Sequence, residues 1–214
     1  MHYFVKTPNI IKRLFPKLIW NYKTDDNVIY LTFDDGPTPE ITDWVLDVLN
    51  QYNAKATFFC IGKNITSNPN ILNRINSNGH RIGNHTNYHL NNWKTSKTTY
   101  LKDVEQTTTI LEKHINCDVN KRLFRPPYGK ITPHTAKKLH ALGYNIIMWD
   151  VLSADFDQTI SPETCLHNVL HNTTNGSIVV FHDSVKAFQN LQYCLPKTLD
   201  YFSEKGFKFE VLPA

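Results

Sequence analysis

The stretch Val28–Pro37, which reads VIYLTFDDGP, joins an apolar run to a pair of carboxylates and a turn. Val28–Thr32 has the β-branched and aromatic composition that is typical of a buried strand. The adjacent carboxylates Asp34 and Asp35 are costly at a strand end unless a cation or a proton compensates them. Because neighbouring side chains of an extended chain point to opposite sides, one carboxylate can bind a metal ion while the other handles protons. Taken alone, Asp-Asp-Gly favours an ordinary loop-forming turn.

Outward from this strand, strand-like and helix-like segments alternate to the end of the chain, which predicts an α/β fold with a parallel sheet. Periodicity does not distinguish an open doubly wound sheet from a closed barrel. We expect one domain over residues 25–214, with residues 1–24 packed on it. The other predicted strands are Ala56–Cys60, Arg81–Gly83, Leu123–Arg125, Asn145–Trp149, Ser177–Phe181 and Phe207–Leu212. The predicted helices are Pro39–Tyr52, Asn70–Asn78, Lys97–Ile115, Pro133–Leu142, Pro162–Asn172 and Ala187–Lys205.

The composition is that of a single folded domain without a nucleic-acid partner. The 214 residues are 41% hydrophobic, enough for a core that needs no partner to fold, and we expect a monomer. The net charge of +4 arises from 23 basic and 19 acidic residues, an ordinary balance with no basic stripe. The cysteines at 60, 117, 165 and 194 form no CxxC pair, so we expect reduced thiols.

The N-terminal residues do not resemble an export signal or a membrane span. Lys6, Lys12, Arg13 and Lys17 interrupt every apolar run within residues 1–20, which predicts a cytoplasmic location, or an extracytoplasmic one if the chain is a processed or truncated form. The segment Ile10–Trp20 is basic and amphipathic, a pattern that also suits contact with a membrane surface. We interpret it as a terminal helix packed on the domain.

Two histidine pairs have the H-x3-H spacing that places both imidazoles on one face of a helical turn. His85 and His89 follow the Arg81–Gly83 strand, and with one carboxylate they would form a two-His, one-carboxylate metal site. His167 and His171 lie within a predicted helix far from any strand end, and we expect them to face solvent.

Polar side chains follow three more predicted strands. Arg125 opens an RPPYG stretch, and an arginine at a strand end can hold a carboxylate through charged hydrogen bonds. Asp155 and Phe156 lie beyond the Asn145–Trp149 strand, and His182 ends the Ser177–Phe181 strand. Because catalytic groups of β/α barrels converge at the carboxyl ends of the strands, this clustering predicts an active site.

Together these motifs resemble the NodB-homology polysaccharide deacetylases, carbohydrate esterase family 4. Thr32–Gly36 is similar to the family motif TFDDG, His85–His89 to H-[ST]-x-x-H, and Arg125–Gly129 to R-P-P-Y-G. Ile178–His182 resembles I-V-L-x-H, and the resemblance runs over about residues 28–212. It implies a distorted (β/α)7 barrel, in agreement with the seven predicted strands. It also implies hydrolysis of N-acetyl, or O-acetyl, groups from an amino-sugar polymer or oligosaccharide.

The resemblance also implies roles for single residues. Asp35, His85 and His89 would bind one divalent ion, typically Zn²⁺, with Co²⁺ or another divalent ion as alternatives. Asp34 would be the general base and Arg125 would hold its carboxylate. The backbone N–H of Tyr128 would stabilise the oxyanion. His182 would be the general acid, with its pKa raised by Asp155.

The family's fourth motif, D-x-x-D-W, is altered in this chain. Leu152 replaces the first Asp and Phe156 replaces the Trp, while Val180 takes the place of a Leu in the fifth motif. Phe156, Val180 and Pro127 are expected to line the pocket for the acetyl methyl group. The changes keep this pocket apolar and leave the glycan open among chitin oligomers, peptidoglycan, other N-acetylglucosamine polymers and acetylxylan.

Two other classes of protein share part of this pattern. A two-His, one-carboxylate set is also the signature of non-haem Fe(II) oxygenases. Those enzymes need neither an arginine-held carboxylate beside the metal ligand nor a general-acid histidine. A carbohydrate-binding relative that has lost catalysis is the other alternative, and the complete set of catalytic positions argues against it.

Overall fold

The computed structural model describes residues 3–115 and 122–213, and these residues form a parallel sheet with helices around it. The sheet order is β5-β4-β3-β2-β1-β7-β6, and β8 pairs with β1. The strands are β1 (Val28–Asp34), β2 (Ala56–Cys60), β3 (Arg81–Asn84), β4 (Arg122–Phe124), β5 (Tyr144–Ile146), β6 (Val151–Leu152), β7 (Ile178–His182) and β8 (Lys208–Phe209).

Most helices connect successive strands and cover the outer face of the sheet. In β1, alternate side chains Ile29, Leu31 and Phe33 pack in the main core cluster with residues of the surrounding helices. Thr32 and Asp34 alternate with these residues and therefore point to the opposite, inner face of the curved sheet, where the site lies. The helices are α1 (Asn9–Leu14), α2 (Ile41–Gln51), α3 (Gly62–Ser67), α4 (Pro69–Ser77), α5 (Lys97–His114), α6 (Pro133–Ala141), α7 (Pro162–Asn172) and α8 (Phe188–Glu204).

The predicted α/β fold and the (β/α)7 barrel are confirmed, the barrel being an incomplete one in which β5 and β6 are the two edge strands. Several details of the prediction were wrong. The terminal helix expected within Ile10–Trp20 is only α1, which ends at Leu14, and the strand predicted over Phe207–Leu212 is only the two residues of β8. The strand predicted over Asn145–Trp149 ends at Ile146, and a separate two-residue strand, β6, follows it. The short helix α3 was missed because its sequence, GKNITS, has no apolar period. Both elements are too short for periodicity to detect.

The N-terminal segment, residues 3–24, runs across the gap between the two edge strands. The Ile19 N–H donates to the Ile146 carbonyl (2.9 Å), and the Tyr22 N–H donates to the Gly176 carbonyl (2.9 Å). These bonds join the segment both to β5 and to the turn before β7. Trp20 is buried in a core cluster with Tyr144 and Ile146 of β5. Edge strands that would otherwise expose unpaired backbone groups are thereby partly covered.

A buried carboxylate holds the beginning of this segment. Asp150, which is 3% exposed, accepts hydrogen bonds from the ammonium groups of Lys6 (2.7 Å) and Lys12 and from the Ser177 hydroxyl (2.6 Å). Burial would raise the pKa of Asp150, but the hydrogen bonds from Lys12, Lys6 and Ser177 lower it below its ordinary value. Two lysines of the N-terminal segment are thus neutralised inside the fold.

Cys60, Cys165 and Cys194 are buried free thiols, as predicted, and Cys117 lies outside the described residues. Across residues 3–115 and 122–213, none of the helices combines the length and the apolarity that crossing a bilayer demands.

Candidate active site

Arg125, the residue after β4, is a fully buried cation at the floor of the site. Its guanidinium donates to Asp34 Oδ1 (2.7 Å), to Thr32 Oγ1 (2.7 Å) and to the Met148 carbonyl (3.0 Å). It also lies 4.2 Å from the centre of the Phe59 ring, a cation–π contact. A buried guanidinium needs such partners because an unpaired one would be strongly destabilising.

The contact with Arg125 keeps Asp34 ionised. Burial would raise the pKa of the Asp34 carboxyl, but the charge of Arg125, with smaller contributions from His85 and His182, lowers it below its ordinary value. Asp34 is therefore a carboxylate at neutral pH, with an oxygen that can accept a proton. The structure brings Arg125 and Asp34 together as the sequence predicted.

The side chains of Asp34 and Asp35 point in different directions, but strand alternation is not the cause. Asp34 ends β1, whereas Asp35 has a φ of 81°, in the left-handed region. The prediction that strand alternation separates the pair was therefore wrong. A backbone turn at Asp35 separates them.

Asp183 holds this turn in place, a role that the sequence did not indicate. Its carboxylate accepts the Gly36 N–H (3.1 Å) and the Thr42 hydroxyl, and a Cβ at position 36 would overlap it. Burial, with a contribution from Asp35, raises the pKa of Asp183 to about 8 against the hydrogen bond from Thr42. The glycine of the DDG turn is thus required by close approach of a side chain.

His85 and His89 lie in a loop after β3, so the predicted helical turn was wrong. Thr86 and His89 have φ values of 65° and 54°, and these left-handed positions curl the loop so that both rings face Asp35. The ring centres of His85 and His89 are 5.1 Å apart.

Hydrogen bonds to the buried side chains of Asp103 and Asn84 hold the backbone of this loop in place. The Asp103 carboxylate accepts the N–H groups of Asn87 (2.8 Å) and Tyr88 (3.1 Å), and Asn84 Oδ1 accepts the Thr86 N–H (2.8 Å). Asp103 lies on α5, far from the loop in sequence, and no sequence pattern pointed to it. The first N–H of α3, at Gly62, donates to the Thr86 carbonyl (3.0 Å).

Three atoms that could bind a metal ion lie close together at the carboxyl ends of the strands. Asp35 Oδ1 lies 3.2 Å from His89 Nε2 and 3.7 Å from His85 Nε2, and the three residues form a group able to hold a metal ion. Donors around a tetrahedral zinc ion are about 3.3 Å apart. Asp35 Oδ1 is buried without a hydrogen-bond partner within the part of the chain that is described. The donor set therefore fits one divalent cation.

The Nδ1 atoms of His85 and His89, which face away from Asp35, each have a hydrogen-bond partner. His85 Nδ1 lies 2.8 Å from the Arg125 carbonyl, which can only accept, so the neutral ring carries its proton on Nδ1. Burial lowers the pKa of His85 to about 4, against the opposing charge of Asp34. His89 Nδ1 lies 3.1 Å from the Tyr128 hydroxyl. That hydroxyl can accept the Nδ1 proton, and with the proton on Nδ1 in both rings each Nε2 has a lone pair for a metal ion.

His182, at the end of β7, is paired with Asp155. His182 Nδ1 lies 2.7 Å from Asp155 Oδ1, and the His182 N–H donates to Asp155 Oδ2 (2.7 Å). Burial would lower the pKa of His182, but Asp155, with Asp35 and Asp34, raises it to about 9. His182 lies beside Asp34 in the register of β1 and β7. A protonated imidazole and an ionised carboxylate thus stand at neighbouring strand ends.

The remaining predicted site residues surround these groups. Tyr128 has a φ of 60° in the turn Pro127–Gly129, and no acceptor for its N–H is found in the described part of the chain. The Phe156 ring lies 5.1 Å from the His182 ring, and Val180 shares the inner face of β7 with His182. Pro127 is buried.

The second histidine pair with H-x3-H spacing is exposed to solvent, as predicted. His167 and His171 are exposed on α7, away from any strand end, with their rings stacked on each other. The same H-x3-H spacing therefore gives a metal-ligating arrangement only where the loop after β3 shapes it.

The chain matches a protein family over more than half its length. A family model described as polysaccharide deacetylase covers residues 21–147. The chain is 36% identical to a peptidoglycan-N-acetylglucosamine deacetylase of Bacillus cereus over 187 residues, or 87% of this chain and 67% of that relative. The chain belongs to the polysaccharide deacetylase family.

Other members of the polysaccharide deacetylase family are similar in sequence and in fold. A chitooligosaccharide deacetylase of Azorhizobium caulinodans is 34% identical over 186 residues, covering 87% of this chain and 83% of that relative. The crystal structure of the Bc1960 peptidoglycan N-acetylglucosamine deacetylase superposes with a TM-score of 0.88 at 33% identity. That match covers 97% of this chain and 95% of the other. The resemblance seen in the sequence motifs is confirmed.

The contact between Tyr128 and His89 leads to a prediction about metal affinity. We expect Tyr128→Phe to weaken the binding of Zn²⁺ about 10–100-fold, because the outer partner of a ligating histidine fixes its ring and tautomer. Titration against a chromophoric chelator measures the dissociation constant. The matched control is Tyr88→Phe, which changes an exposed tyrosine of the same loop. Equal affinity in Tyr128→Phe and wild-type protein would show that the hydroxyl does not position His89.

Proposed function

We propose that this polysaccharide deacetylase removes N-acetyl groups from N-acetylglucosamine residues of peptidoglycan or of a closely related glycan, releasing acetate. One observation carries the proposal. An ionised carboxylate, Asp34, and a protonated imidazole, His182, lie beside the donor group Asp35, His85 and His89. Amide hydrolysis needs a base for the attacking water and an acid for the amine that leaves.

Asp35, His85 and His89 are proposed to hold one zinc ion. One carboxylate oxygen and two neutral imidazoles form a donor set that suits zinc and leaves a position open. A bound divalent ion would supply polarisation of the acetyl carbonyl and a lower pKa for a water molecule.

Asp34 is proposed to take the proton from the attacking water. Its bond to Arg125 occupies Oδ1 and holds the carboxylate still, which leaves Oδ2 for the proton. The same ion pair prevents Asp34 from being protonated before the reaction begins. Arg125 thus acts through Asp34 and does not need to touch the substrate.

His182 is proposed to protonate the amine as the C–N bond breaks. The pKa of about 9 keeps it protonated at neutral pH, and Asp155 fixes its orientation through Nδ1. Its Nε2 is then the atom that delivers the proton.

The acetyl group is proposed to lie between Tyr128 and an apolar pocket. The free N–H of Tyr128 can donate to the oxyanion, a contribution of the kind that is worth about 10²–10³-fold in rate. Phe156, Val180 and Pro127 are proposed to enclose the methyl group. Relatives named for peptidoglycan and for chitooligosaccharides match this chain almost equally well. The cytoplasmic location stays a prediction, and a cell-wall peptidoglycan substrate would instead require an extracytoplasmic one.

The substrate and the roles of the paired carboxylates can be tested together. We expect the zinc-loaded protein to release acetate from N-acetylated peptidoglycan and from chitooligosaccharides. Asp34→Asn should retain the metal and lose turnover, because an amide cannot accept the water's proton. Asp35→Asn should lose metal first. Acetate is measured enzymatically and metal content by mass spectrometry.

Two results would contradict this assignment. Acetate release from acetylxylan alone would replace the amino-sugar substrate with an O-acetylated one. Loss of metal in Asp34→Asn with retention in Asp35→Asn would exchange the two roles. Double replacement of the exposed pair, His167→Ala with His171→Ala, is the matched control and should leave metal content unchanged.

The role of His182 predicts a pH dependence. The protonated ring is the active form, so kcat should fall as the pH rises through about 9, the pKa of this residue. His182→Ala should lower kcat about 10²–10⁴-fold and abolish this alkaline limb while metal content stays unchanged. An acetyl ester has a better leaving group, so the variant should retain more esterase than amidase activity. Equal losses on both substrates would remove His182 from the acid role.

A further inference from the structure

An apolar groove of about 790 Å³ lies between the N-terminal segment and α6. Leu14, Phe15 and Leu18 line one side, and Ile131 and Ala136 line the other. The groove extends to Trp93 and Gly129, so it begins next to Tyr128 at the active site. It is lined chiefly by apolar side chains, including the rings of Phe15, Trp20 and Trp93, and it has few hydrogen-bonding groups to match the hydroxyls of a sugar.

Large apolar side chains at this face remain in water. Leu14 is 66% exposed, Phe15 is 48% exposed, and Ile10 on the same short helix is 63% exposed. A contiguous group of large apolar side chains that are exposed to water is typical of an interaction site on a protein.

The two segments that supply most of the groove lining have a strongly uneven charge. Residues 3–24 and 127–143 contain eight of the chain's 23 Lys and Arg residues and none of its 19 Asp and Glu residues. Lys6 and Lys12 are neutralised by Asp150, and Lys130 lies over the Trp93 ring. Lys17 and Lys137 line the groove, and its lining residues include no Asp or Glu.

We propose that this face docks onto an anionic lipid bilayer, with Leu14 and Phe15 among the acyl chains and Lys17 and Lys137 against the lipid phosphates. Basic side chains around exposed apolar ones are the pattern of surface-bound amphipathic segments. A polyanion would satisfy the charges but would leave Leu14 and Phe15 in water. A neutral apolar partner would leave the lysines without counter-charge. An anionic bilayer satisfies both.

Co-sedimentation of the full chain with vesicles tests the proposal. We expect binding to vesicles of phosphatidylcholine with one-quarter phosphatidylglycerol, and much weaker binding to pure phosphatidylcholine. Leu14→Ser and Phe15→Ser should each lower the partition coefficient about tenfold or more, since each removes a large apolar side chain from the lipid. Lys17→Gln and Lys137→Gln should each lower it about fivefold.

Matched controls separate this face from general adhesion. Val185→Ser changes an exposed apolar residue elsewhere, and Lys113→Gln changes an exposed lysine of α5; both should bind like wild-type protein. Thermal melting should show that every variant is folded.

Three outcomes would overturn the proposal. The first two are failure of wild-type protein to bind the anionic vesicles and equal binding of wild-type protein to both vesicle types. If the serine variants bind like wild-type protein while the glutamine variants do not, the face attracts polyanions without insertion. Vesicle binding needs neither metal nor turnover, so its failure would leave the proposed deacetylation untouched.

Discussion

The buried ion pair between Arg125 and Asp34 is the contact on which the active site depends. Arg125 follows β4, Asp34 ends β1, and Met148, which accepts a further Arg125 N–H, follows β5. The backbone carbonyl of Arg125 in turn accepts a hydrogen bond from Nδ1 of His85. One residue thus joins three strand ends and one histidine of the proposed metal site. A buried pair of this kind contributes little net stability, but loss of one partner typically costs about 3–5 kcal/mol.

Around this pair, unusual backbone conformations concentrate at the strand ends. Residues 3–115 and 122–213 include seven non-glycine residues with positive φ, and five of these lie in the loops that form the site: Asp35, Thr86, His89, Tyr128 and Ala154. Left-handed conformations cost about 1–3 kcal/mol each and persist where the surroundings enforce them. The surroundings here are Asp183, which accepts a hydrogen bond from the turn after Asp35, and Asp103, which accepts two from the histidine loop. The rigid sheet and these loops together set the positions of the reactive side chains.

The sequence predicted those parts of the molecule that are governed by local pattern. Strands such as Ala56–Cys60 and helices such as Pro162–Asn172 have clear composition and caps, and their bounds agree with the structure. Motif order identified the family and brought Asp34, Arg125 and His182 to one rim. The sequence did not predict the left-handed turns, because φ at Asp35 or His89 depends on distant partners. Asp103 and Asp183 were missed for the same reason: each acts on a loop far away along the chain or on another strand.

The central claim is that Asp35, His85 and His89 hold a metal ion while Asp34 stays bound to Arg125. An anomalous difference map at the zinc absorption edge, from crystals of zinc-loaded protein, tests this most directly. We predict a single peak about 2.0–2.2 Å from an Asp35 oxygen and from Nε2 of both histidines. A peak coordinated by Asp34, or one at His167 and His171 with none between Asp35, His85 and His89, would contradict the account.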